Sequence, residues 1–262
     1  MPAIQIARYR VGAAVCTGRR EGDVFLRLSG PPWEGGRETG VRDPVAGTAL
    51  LPPVAPSKIV CVGLNYRAHI AESLSVAPDA RPPEEPVLFL KPPSAVIATG
   101  QPIRYPPGVT RLDPEAELAV VIARRARRVS VDAALDHVAG LTCFNDVSAR
   151  NYQKQDGQWT RAKGFDTFAP MGPWVVVGLS PDRLAVECRV NGERRQRGNS
   201  SDLLFPVPFL VSFVSHVMTL EPGDVIATGT PAGIAPIQVG DEVEVEVEGI
   251  GVLRNRVSPA EG

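Results

Sequence analysis

The amino-acid sequence predicts a mostly β protein with some helices, an α+β fold. Short apolar runs of strand length, bounded by Gly, Pro and other turn residues, outnumber the segments with helical spacing. Strands and helices do not alternate regularly, which argues against a doubly wound parallel sheet. In addition, Asn191-Gly192 joins two strand-like runs and suits the positive φ angles of a type I′ hairpin turn.

The composition is that of an ordinary globular protein whose partners are small molecules or further copies of itself. A chain of 262 residues suffices for one large domain, or for a main domain with a small one. The net charge of −1 gives no general attraction for nucleic acid or anionic lipid. The amino terminus lacks the apolar core of a signal peptide, and no apolar run approaches the roughly 18 residues that span a bilayer. We therefore expect a cytoplasmic protein with no nucleic-acid or membrane partner.

Two groups of residues offer alternatives that we consider weaker. The cysteines at 16, 61, 143 and 188 lie far apart and form no C-x-x-C pair, so we expect free buried thiols. Four arginines fall within residues 123–129, but no aromatic residue interleaves with them. We interpret this segment as a solvated turn, and nucleic-acid binding there as the less favoured alternative.

The first 56 residues predict a small N-terminal β domain followed by a connector. Apolar runs within residues 4–28 are separated by Gly and charged clusters, as in a small antiparallel unit. Residues 30–56 are rich in Pro and Gly, and proline removes backbone donors, so this stretch favours a connector over a central strand. We place a domain boundary near Pro56, with a main domain over residues 57–262.

The main domain begins with a strand over residues 59–62 and a short helical segment that Asn65 can cap. On that segment His69 and Glu72 are three residues apart, so their side chains can meet on one helix face. A carboxylate beside an imidazole orients it and strengthens it as a base. An incidental pair on a surface helix is the alternative.

The next two strands carry charged residues at their ends. Residues 87–91 form an apolar run that ends with Lys91. The side chain of Lys91 is either exposed to solvent at the end of the strand or binds an anion in a cleft. Residues 115–122 begin with Glu115 and Glu117, whose side chains share one strand face because strand side chains alternate. Two anions leaving water repel each other, so a proton or a cation should lie between them.

A second Glu-x-Glu run shows that this spacing alone carries no function. In residues 242–248 the glutamates alternate with valines, as on the wet face of a half-buried strand. Glu115 and Glu117 instead lead into residues 118–122, which are apolar on both faces. This context separates the two runs.

Further along, Ser130 predicts a capped helix that continues to Val138. Residues 141–145 form a strand that leads to Asp146, a candidate third oxygen ligand or a simple turn residue. A lysine near such a site, Lys163, can neutralise a developing oxyanion.

The last third of the chain completes the predicted elements. Residues 171–177 form a buried strand, residues 184–196 a hairpin, and residues 207–218 a core helix on which His216 is structural. A turn over residues 221–224 precedes a short strand at 225–227 and then a loop, Thr228 to Gly233, which can bring backbone amides close to a carboxylate.

Glu115, Glu117 and Asp146 together form an all-oxygen ligand set without His or Cys. Such a set suits a hard divalent cation, Mg²⁺ or Mn²⁺, better than zinc or copper. A 2-oxo acid chelates a cation through its carboxylate and keto oxygen, and the cation can stabilise an enolate when a neighbouring C–C bond breaks.

Eight segments in this order resemble the fumarylacetoacetate hydrolase superfamily. They are GLNYRAHIAE (63–72), FLKP (89–92), EAEL (115–118), NDVSAR (145–150), KGFDT (163–167), GPW (172–174), VNGE (190–193) and GDVIATGTPAG (223–233). The resemblance covers roughly residues 58–257. It does not extend clearly to the first 55 residues, although some bacterial members carry a small N-terminal domain. Asn151 departs from the Asp of many members.

The resemblance implies a mixed β-roll, usually a homodimer, that binds Mg²⁺ or Mn²⁺. The residues matching Glu115, Glu117 and Asp146 hold the metal, those matching His69 and Glu72 form a water-activating dyad on a lid, and that matching Lys163 stabilises charge on the substrate. Those matching Gln153 and Thr230 line the substrate pocket, and we add Lys91 and Arg150 as further candidates for substrate binding.

The resemblance leaves several reactions open, all on a 2-oxo acid. Residues 153–168 look more like the acylpyruvate hydrolases, so we expect hydrolysis of the C–C bond of an acylpyruvate such as fumarylpyruvate through a metal-bound enolate. The alternatives are isomerisation or decarboxylation of dienoic acids such as 2-hydroxyhepta-2,4-diene-1,7-dioate in aromatic catabolism, and oxaloacetate decarboxylation. A structural metal-binding protein is the non-enzymatic alternative, although it has no need for His69, Glu72 and Lys163.

Overall fold

The computed structural model describes residues 3–69 and 82–260. Within those residues the chain forms nineteen strands arranged in three sheets, which confirms a mostly β protein with some helices. The strands are β1 (Ile4–Val11), β2 (Ala14–Glu21), β3 (Val24–Leu28), β4 (Glu38–Pro44), β5 (Ala49–Leu51), β6 (Ile59–Gly63), β7 (Val87–Lys91), β8 (Val96–Ile97), β9 (Ile103–Tyr105), β10 (Leu112–Asp113), β11 (Ala116–Ile122), β12 (Val138–Asn145), β13 (Ser148–Ala149), β14 (Ala169–Val177), β15 (Ala185–Val190), β16 (Glu193–Asn199), β17 (Val225–Ala227), β18 (Glu242–Val247) and β19 (Gly251–Pro259).

The largest sheet has the strand order β4-β3-β2-β1-β14-β12-β11-β17-β6-β7. Two short strands join it at the side, β5 on β1 and β8 on β14. Five strands form a second sheet in the order β16-β15-β18-β19-β9, and β10 and β13 form a separate two-stranded sheet. The N-terminal strands therefore share one sheet with the strands β11, β12 and β14 from the middle of the chain, whereas the last two strands, β18 and β19, belong to the second sheet.

The N-terminal strands form the expected antiparallel unit, but the connector expected over residues 30–56 is partly wrong. This stretch contains β4, which pairs with β3 at the edge of the large sheet, and β5, which pairs with β1. A proline is tolerated at an edge because no neighbour needs its missing N–H, and Pro44 ends β4 at that edge. The boundary near Pro56 stays a prediction.

The apolar run after Glu117 lies between two separate hydrophobic clusters. Leu118, Val120 and Ile122 contribute to the larger cluster, which includes the second sheet, whereas Ala119 and Val121 contribute to the smaller one. Every residue of β11 is buried. This explains why the strand is apolar on both faces.

The Asn-Gly hairpin and the alternating Glu/Val strand are confirmed. Asn191 and Gly192 have φ angles of 53° and 80°, and they join β15 to β16 as predicted. In β18 the valines are buried while the glutamates are only partly covered. The glutamates of β18 therefore face water, unlike Glu115 and Glu117.

Three α-helices lie wholly within the described residues: α1 (Arg150–Asp156), α2 (Thr160–Gly164) and α3 (Val207–Val217). Residues 67–69 are also helical. Short 3₁₀ turns occupy Pro32–Glu34, Pro93–Ala95, Ala134–His137 and Ser200–Asp202. The core helix predicted over residues 207–218 is confirmed. Among the described residues, His216 bonds along that helix only, to the Ser212 carbonyl oxygen at 2.9 Å. None of the described helices is both long and apolar enough to cross a membrane.

The helix predicted from Ser130 to Val138 is wrong. Only Ala134–His137 is helical, and it is a 3₁₀ turn without a side-chain cap. The preceding segment is instead fixed by distant partners, since Val129 N donates to Ser215 Oγ and Ala126 N to the Leu220 carbonyl oxygen. These contacts override the local capping signal. The four arginines of this segment are exposed, as expected for a solvated turn, and the four cysteines are free and buried.

Asp224 is a buried junction between the parallel strands β6 and β17. Its Oδ1 accepts hydrogen bonds from Ser57 N at 2.9 Å, Ser57 Oγ at 2.6 Å and Lys58 N at 3.1 Å. Its Oδ2 accepts from Glu221 N at 2.8 Å and from the ammonium group of Lys58. Burial alone would raise the pKa of Asp224, but the bonds from Lys58, Ser57 and Glu221 outweigh it and hold the pKa below its usual value.

We expect Asp224→Asn to destabilise the fold at neutral pH by about 2–4 kcal/mol, because a buried ion pair loses one partner. The folded-state pKa of Asp224 is lowered, so its stabilisation is complete above the unfolded pKa of about 3.9 and declines as the pH falls through the folded pKa. The difference between wild type and variant should therefore shrink below about pH 4. Urea unfolding at pH 7 and pH 3.5 measures both effects. Asp132→Asn, at an exposed aspartate, is the control and should change neither midpoint. An unchanged stability of Asp224→Asn at pH 7 would contradict the junction role.

Candidate active site

Three buried carboxylates meet at the start of β11 and the end of β12, which are neighbouring antiparallel strands. Glu117 lies within β11, Glu115 just before it, and Asp146 just after β12. Backbone bonds hold the two segments together, because Asp146 N donates to the Glu115 carbonyl oxygen at 2.9 Å and Glu115 N to Asn145 Oδ1 at 3.0 Å. One ligand oxygen from each carboxylate lies within 4.8 Å of the others. This acidic triad fits a hard divalent cation, since all its donors are oxygens.

Two buried lysines compensate part of the charge of the triad. Lys163 Nζ lies 2.7 Å from Glu115 Oε2 and 2.5 Å from Asp146 Oδ2. Lys91 Nζ lies 2.5 Å from Asp146 Oδ1 and 3.1 Å from the Val147 carbonyl oxygen. Burial lowers the pKa of both lysines, but for Lys163 the two carboxylates outweigh burial and its pKa is raised, whereas that of Lys91 is lowered. Lys163 therefore keeps its positive charge at neutral pH.

The two glutamates of the triad differ in their electrostatic surroundings. Burial raises the pKa of Glu115, but the charges of Lys163 and Arg150 outweigh burial and lower it well below its usual value. Burial also raises the pKa of Glu117, and repulsion from Asp146 and Glu115 adds to this. A divalent cation would remove that repulsion, which is a second reason why the triad fits one.

The loop after β17 supplies an amide to the triad. Gly229 N donates to Glu117 Oε2 at 2.9 Å. Gly229 has a φ angle of +101°, and a Cβ atom there would lie 2.9 Å from Asn65 Cβ, so the position requires glycine. The sequence prediction that this loop brings an amide to a carboxylate is confirmed.

The triad opens into a cavity of about 570 Å³. Its lining combines charged groups around the triad with an apolar wall. The lining residues are Val62, Gly63, Leu64, His69, Phe89, Arg111, Glu115, Glu117, Asp146, Arg150, Gln153, Lys154, Trp159, Lys163, Thr230 and Ile234. Phe89 and Trp159 form an edge-to-face pair with ring centroids 5.2 Å apart.

The predicted catalytic residues His69 and Lys163 both line this cavity. His69 is 8% exposed and close enough to Glu115 for its charge to lower the pKa of that carboxyl. Glu72, the predicted partner of His69, lies outside the described residues. The predicted dyad therefore stays a prediction.

The four predicted substrate-binding residues have different placements. Arg150 and Gln153 line the cavity and bond to each other, with Arg150 Nη1 2.9 Å from Gln153 Oε1. Thr230 also lines the cavity, but its hydroxyl donates to the Ala116 carbonyl oxygen at 2.9 Å and accepts from Gln196 Nε2 at 2.8 Å. Lys91 lies outside the cavity lining, with its side chain fully buried against Asp146. It can orient Asp146 rather than contact a ligand, and the roles of the other three stay predictions.

Sequence reasoning missed Arg111 and Asp113, which belong to the same group of side chains. Arg150 Nε donates to Asp113 Oδ2 at 2.8 Å and Arg150 Nη2 to Glu115 Oε1 at 2.6 Å, so Asp113 and Glu115 hold one guanidinium between them. A signal was present, because positions 111, 113, 115 and 117 all carry charge at the two-residue spacing of one strand face. Pro114 interrupts that strand and obscured the pattern.

Comparison with known proteins agrees with this geometry. Residues 58–258 match the family Fumarylacetoacetate (FAA) hydrolase C-terminal, and residues 5–53 match Rv2993c-like, N-terminal. The chain belongs to the fumarylacetoacetate hydrolase family. The family resemblance expected from the sequence is thereby confirmed, and the family members identified below are named as isomerases, tautomerases and hydrolases.

Three relatives in this family are informative. Oxaloacetate tautomerase YisK of Bacillus subtilis is 44% identical over 214 residues, which span 77% of this chain and 70% of the relative. The 2-hydroxyhepta-2,4-diene-1,7-dioate isomerase of Mycobacterium marinum is 40% identical with a TM-score of 0.90, covering 99% of this chain and all of that one. Maleylpyruvate hydrolase of Sphingobium sp. SYK-6, solved with manganese and pyruvate, is 28% identical with a TM-score of 0.79 over 98% of this chain and 100% of that one.

Proposed function

We propose that this protein is a divalent-metal-dependent enzyme that interconverts the keto and enol forms of a small 2-oxo acid, with oxaloacetate as the first substrate to test. The observation that carries the proposal is that His69 lines the same cavity as the acidic triad and Lys163. Enolisation requires a group that moves a proton at C3 and a positive environment for the charge that develops on O2. The relative named oxaloacetate tautomerase supports the choice of substrate.

Glu115, Glu117 and Asp146 would hold the cation, and their ligand chemistry favours Mg²⁺ or Mn²⁺. When bound, such a cation supplies a Lewis acid that polarises the keto oxygen of a 2-oxo acid. The manganese in the maleylpyruvate hydrolase structure supports this choice of metal.

The side chains around the triad have separable tasks. Lys163, whose pKa is raised, brings a fixed positive charge to the negative charge that develops on the substrate. Gln153 accepts a hydrogen bond from Arg150 through Oε1, which leaves its amide N–H groups to donate to a substrate carboxylate. Phe89 and Trp159 cover the cavity with apolar surface and reduce access of water. His69 is the group that can carry the proton to and from C3.

Hydrolysis of an acylpyruvate, the reaction that the sequence favoured, is the second candidate. His69 also favours it, because an imidazole in the cavity can instead take a proton from water. The hydroxide would add to the distal carbonyl, and cleavage of the C–C bond would release a carboxylic acid and pyruvate. The structural similarity to maleylpyruvate hydrolase supports this alternative.

The test follows the ultraviolet absorbance of freshly dissolved enol oxaloacetate, with fumarylpyruvate in parallel. We expect wild type to accelerate decay of the enol, chelation to abolish this, and added Mg²⁺ to restore it. His69→Ala should lower the rate by about 10²- to 10⁴-fold, since it removes the proton carrier, while metal binding persists. His216→Ala is the matched control, because this exposed histidine bonds to the Ser212 carbonyl oxygen within α3 and does not line the cavity.

The parallel assays separate the two candidates. If enol oxaloacetate decays at the background rate while fumarylpyruvate yields pyruvate, the activity is hydrolysis and not tautomerisation. A chelated enzyme that stays fully active would remove the metal from either reaction. Equal turnover by His69→Ala and wild type would contradict the role of His69.

A further inference from the structure

Arg111 lies on the cavity wall in a fixed orientation. Its Nε and Nη2 lie 2.9 and 3.0 Å from the two oxygens of Asp113, a fork-to-fork pair. The Asp113 side chain is fully buried, whereas the Arg111 side chain is 49% exposed. The buried carboxylate therefore anchors a guanidinium group that still faces the cavity.

Arg111 has donors left for a ligand, and its neighbour Arg150 has few. A guanidinium carries five N–H donors, and the pair with Asp113 uses two of those of Arg111. Arg150 is committed through all three nitrogens, Nε to Asp113, Nη1 to Gln153 and Nη2 to Glu115. Of these two arginines, Arg111 is the one that can receive a ligand carboxylate with a pair of parallel hydrogen bonds.

The position of Arg111 suits the far end of a substrate held at the triad. Asp113 bonds both arginines, and Arg150 bonds Glu115, so one carboxylate and one guanidinium separate Arg111 from the triad. Arg111 and the triad line the same cavity, so a ligand held at the triad can extend across that cavity toward Arg111. Lys154, which belongs to α1, also lines the cavity and adds positive charge to it.

The charge of the site favours a ligand with two negative charges. When all are ionised, four carboxylates face five cationic side chains that are buried or line the cavity: Asp113, Glu115, Glu117 and Asp146 against Lys91, Arg111, Arg150, Lys154 and Lys163. A divalent cation on the triad would then leave three positive charges. A 2-oxo dicarboxylate compensates two of these charges and a 2-oxo monocarboxylate only one, so the site favours the dicarboxylate.

We propose that Arg111, oriented by Asp113, is a specificity-determining residue that binds the distal carboxylate of a 2-oxo dicarboxylic acid held at the triad. This inference rests on the proposed function, because it assumes that the 2-oxo acid end of the ligand is held at the triad. It goes further by naming the residue that distinguishes a diacid from a monoacid.

The test compares two four-carbon acids that differ only at C4. Oxaloacetate carries a distal carboxylate, and 2-oxobutanoate has a methyl group in its place. Each is titrated calorimetrically into Mg²⁺-loaded wild type, Arg111→Gln, Arg111→Lys and Arg161→Gln. Tautomerisation does not change the equilibrium mixture of keto and enol forms and so adds no net heat, and a parallel assay of pyruvate corrects the heats for any decarboxylation of oxaloacetate. Arg161 is the matched control, because its side chain is 46% exposed and paired with Asp156, but it does not line the cavity.

We expect wild type to bind oxaloacetate more tightly than 2-oxobutanoate. Arg111→Gln should weaken oxaloacetate binding by about tenfold to a hundredfold, the cost of losing a charged hydrogen-bonding partner, and leave 2-oxobutanoate unchanged. Arg111→Lys should retain part of the preference, because the charge remains but the fork is lost. Arg161→Gln should change neither affinity.

Two results would overturn the inference while leaving the proposed function intact. One is equal affinity of wild type for the two acids, and the other is an Arg111→Gln variant that loses affinity for both acids equally or for neither. If wild type binds neither acid in the presence of Mg²⁺, the proposed function itself fails and the inference fails with it.

Discussion

Glu117→Ala should abolish both metal binding and turnover. Glu117 is 2% exposed and supplies one of three oxygens that lie within 4.8 Å of one another. Two remaining carboxylates cannot complete the set that a hard cation requires at this depth. We expect turnover to fall by more than about 10³-fold, because the reaction loses its main electrostatic stabilisation.

The measurement pairs a calorimetric Mn²⁺ titration with the oxaloacetate assay. Glu242→Ala is the control, since Glu242 belongs to the second Glu-x-Glu run and lies partly covered on β18. It should bind Mn²⁺ and turn over like wild type. The fold of Glu117→Ala should persist, because the variant removes one of the carboxylates that repel each other. Wild-type Mn²⁺ affinity in Glu117→Ala would exclude the triad as the metal site.

Lys163→Met should separate metal binding from chemistry. Lys163 is 2% exposed and its ammonium group lies between Glu115 and Asp146. Removing its charge increases the negative potential at the triad, so Mn²⁺ should bind at least as tightly as in wild type. Turnover should nevertheless fall by about 10²- to 10³-fold, because the substrate loses a preorganised cation.

The same two measurements check this prediction, and thermal unfolding with and without Mn²⁺ adds a third. Metal-free Lys163→Met should unfold at a lower temperature than wild type, since breaking a buried ion pair costs about 3–5 kcal/mol. Bound Mn²⁺ should recover most of that difference. Loss of Mn²⁺ binding together with turnover would show that Lys163 only supports the fold of the triad.

The parts of this fold that were predictable depend on neighbours along the chain. The strand Val87–Lys91 and the Asn191-Gly192 hairpin follow from a short apolar run and from turn chemistry. The strand β4 was missed because its Gly40 and Pro44 indicate a loop, and only its place at a sheet edge makes them acceptable. The helix after Ser130 was predicted from a local cap that contacts with Ser215 and Leu220 override.

In the candidate site, too, local patterns predicted some residues, whereas contacts between distant residues determine the others. Glu115 and Glu117 could be paired from strand alternation, and Asp146 from its place at the end of a strand. The bond from Gly229 N to Glu117 and that from Gln196 to Thr230 join residues 112 and 34 positions apart, and no local pattern encodes either. Arg111 and Asp113 continue the two-residue spacing of Glu115 and Glu117, but Pro114 separates them from that strand. Their role emerges only once Arg150 is seen to bond both Asp113 and Glu115.

The pairing of β1 with β14 has a consequence for the aggregation of this chain. Ile4, Gln5 and Ile6 pair with Val177, Val176 and Val175, which lie on the strand next to β12, whose end carries Asp146. The N-terminal unit thus covers an edge that would otherwise present unpaired amides and carbonyls beside valines. We therefore expect a chain that lacks β1 to β5 to expose the edge of β14, two strands away from β11 in the sheet, and to aggregate more readily than the full chain.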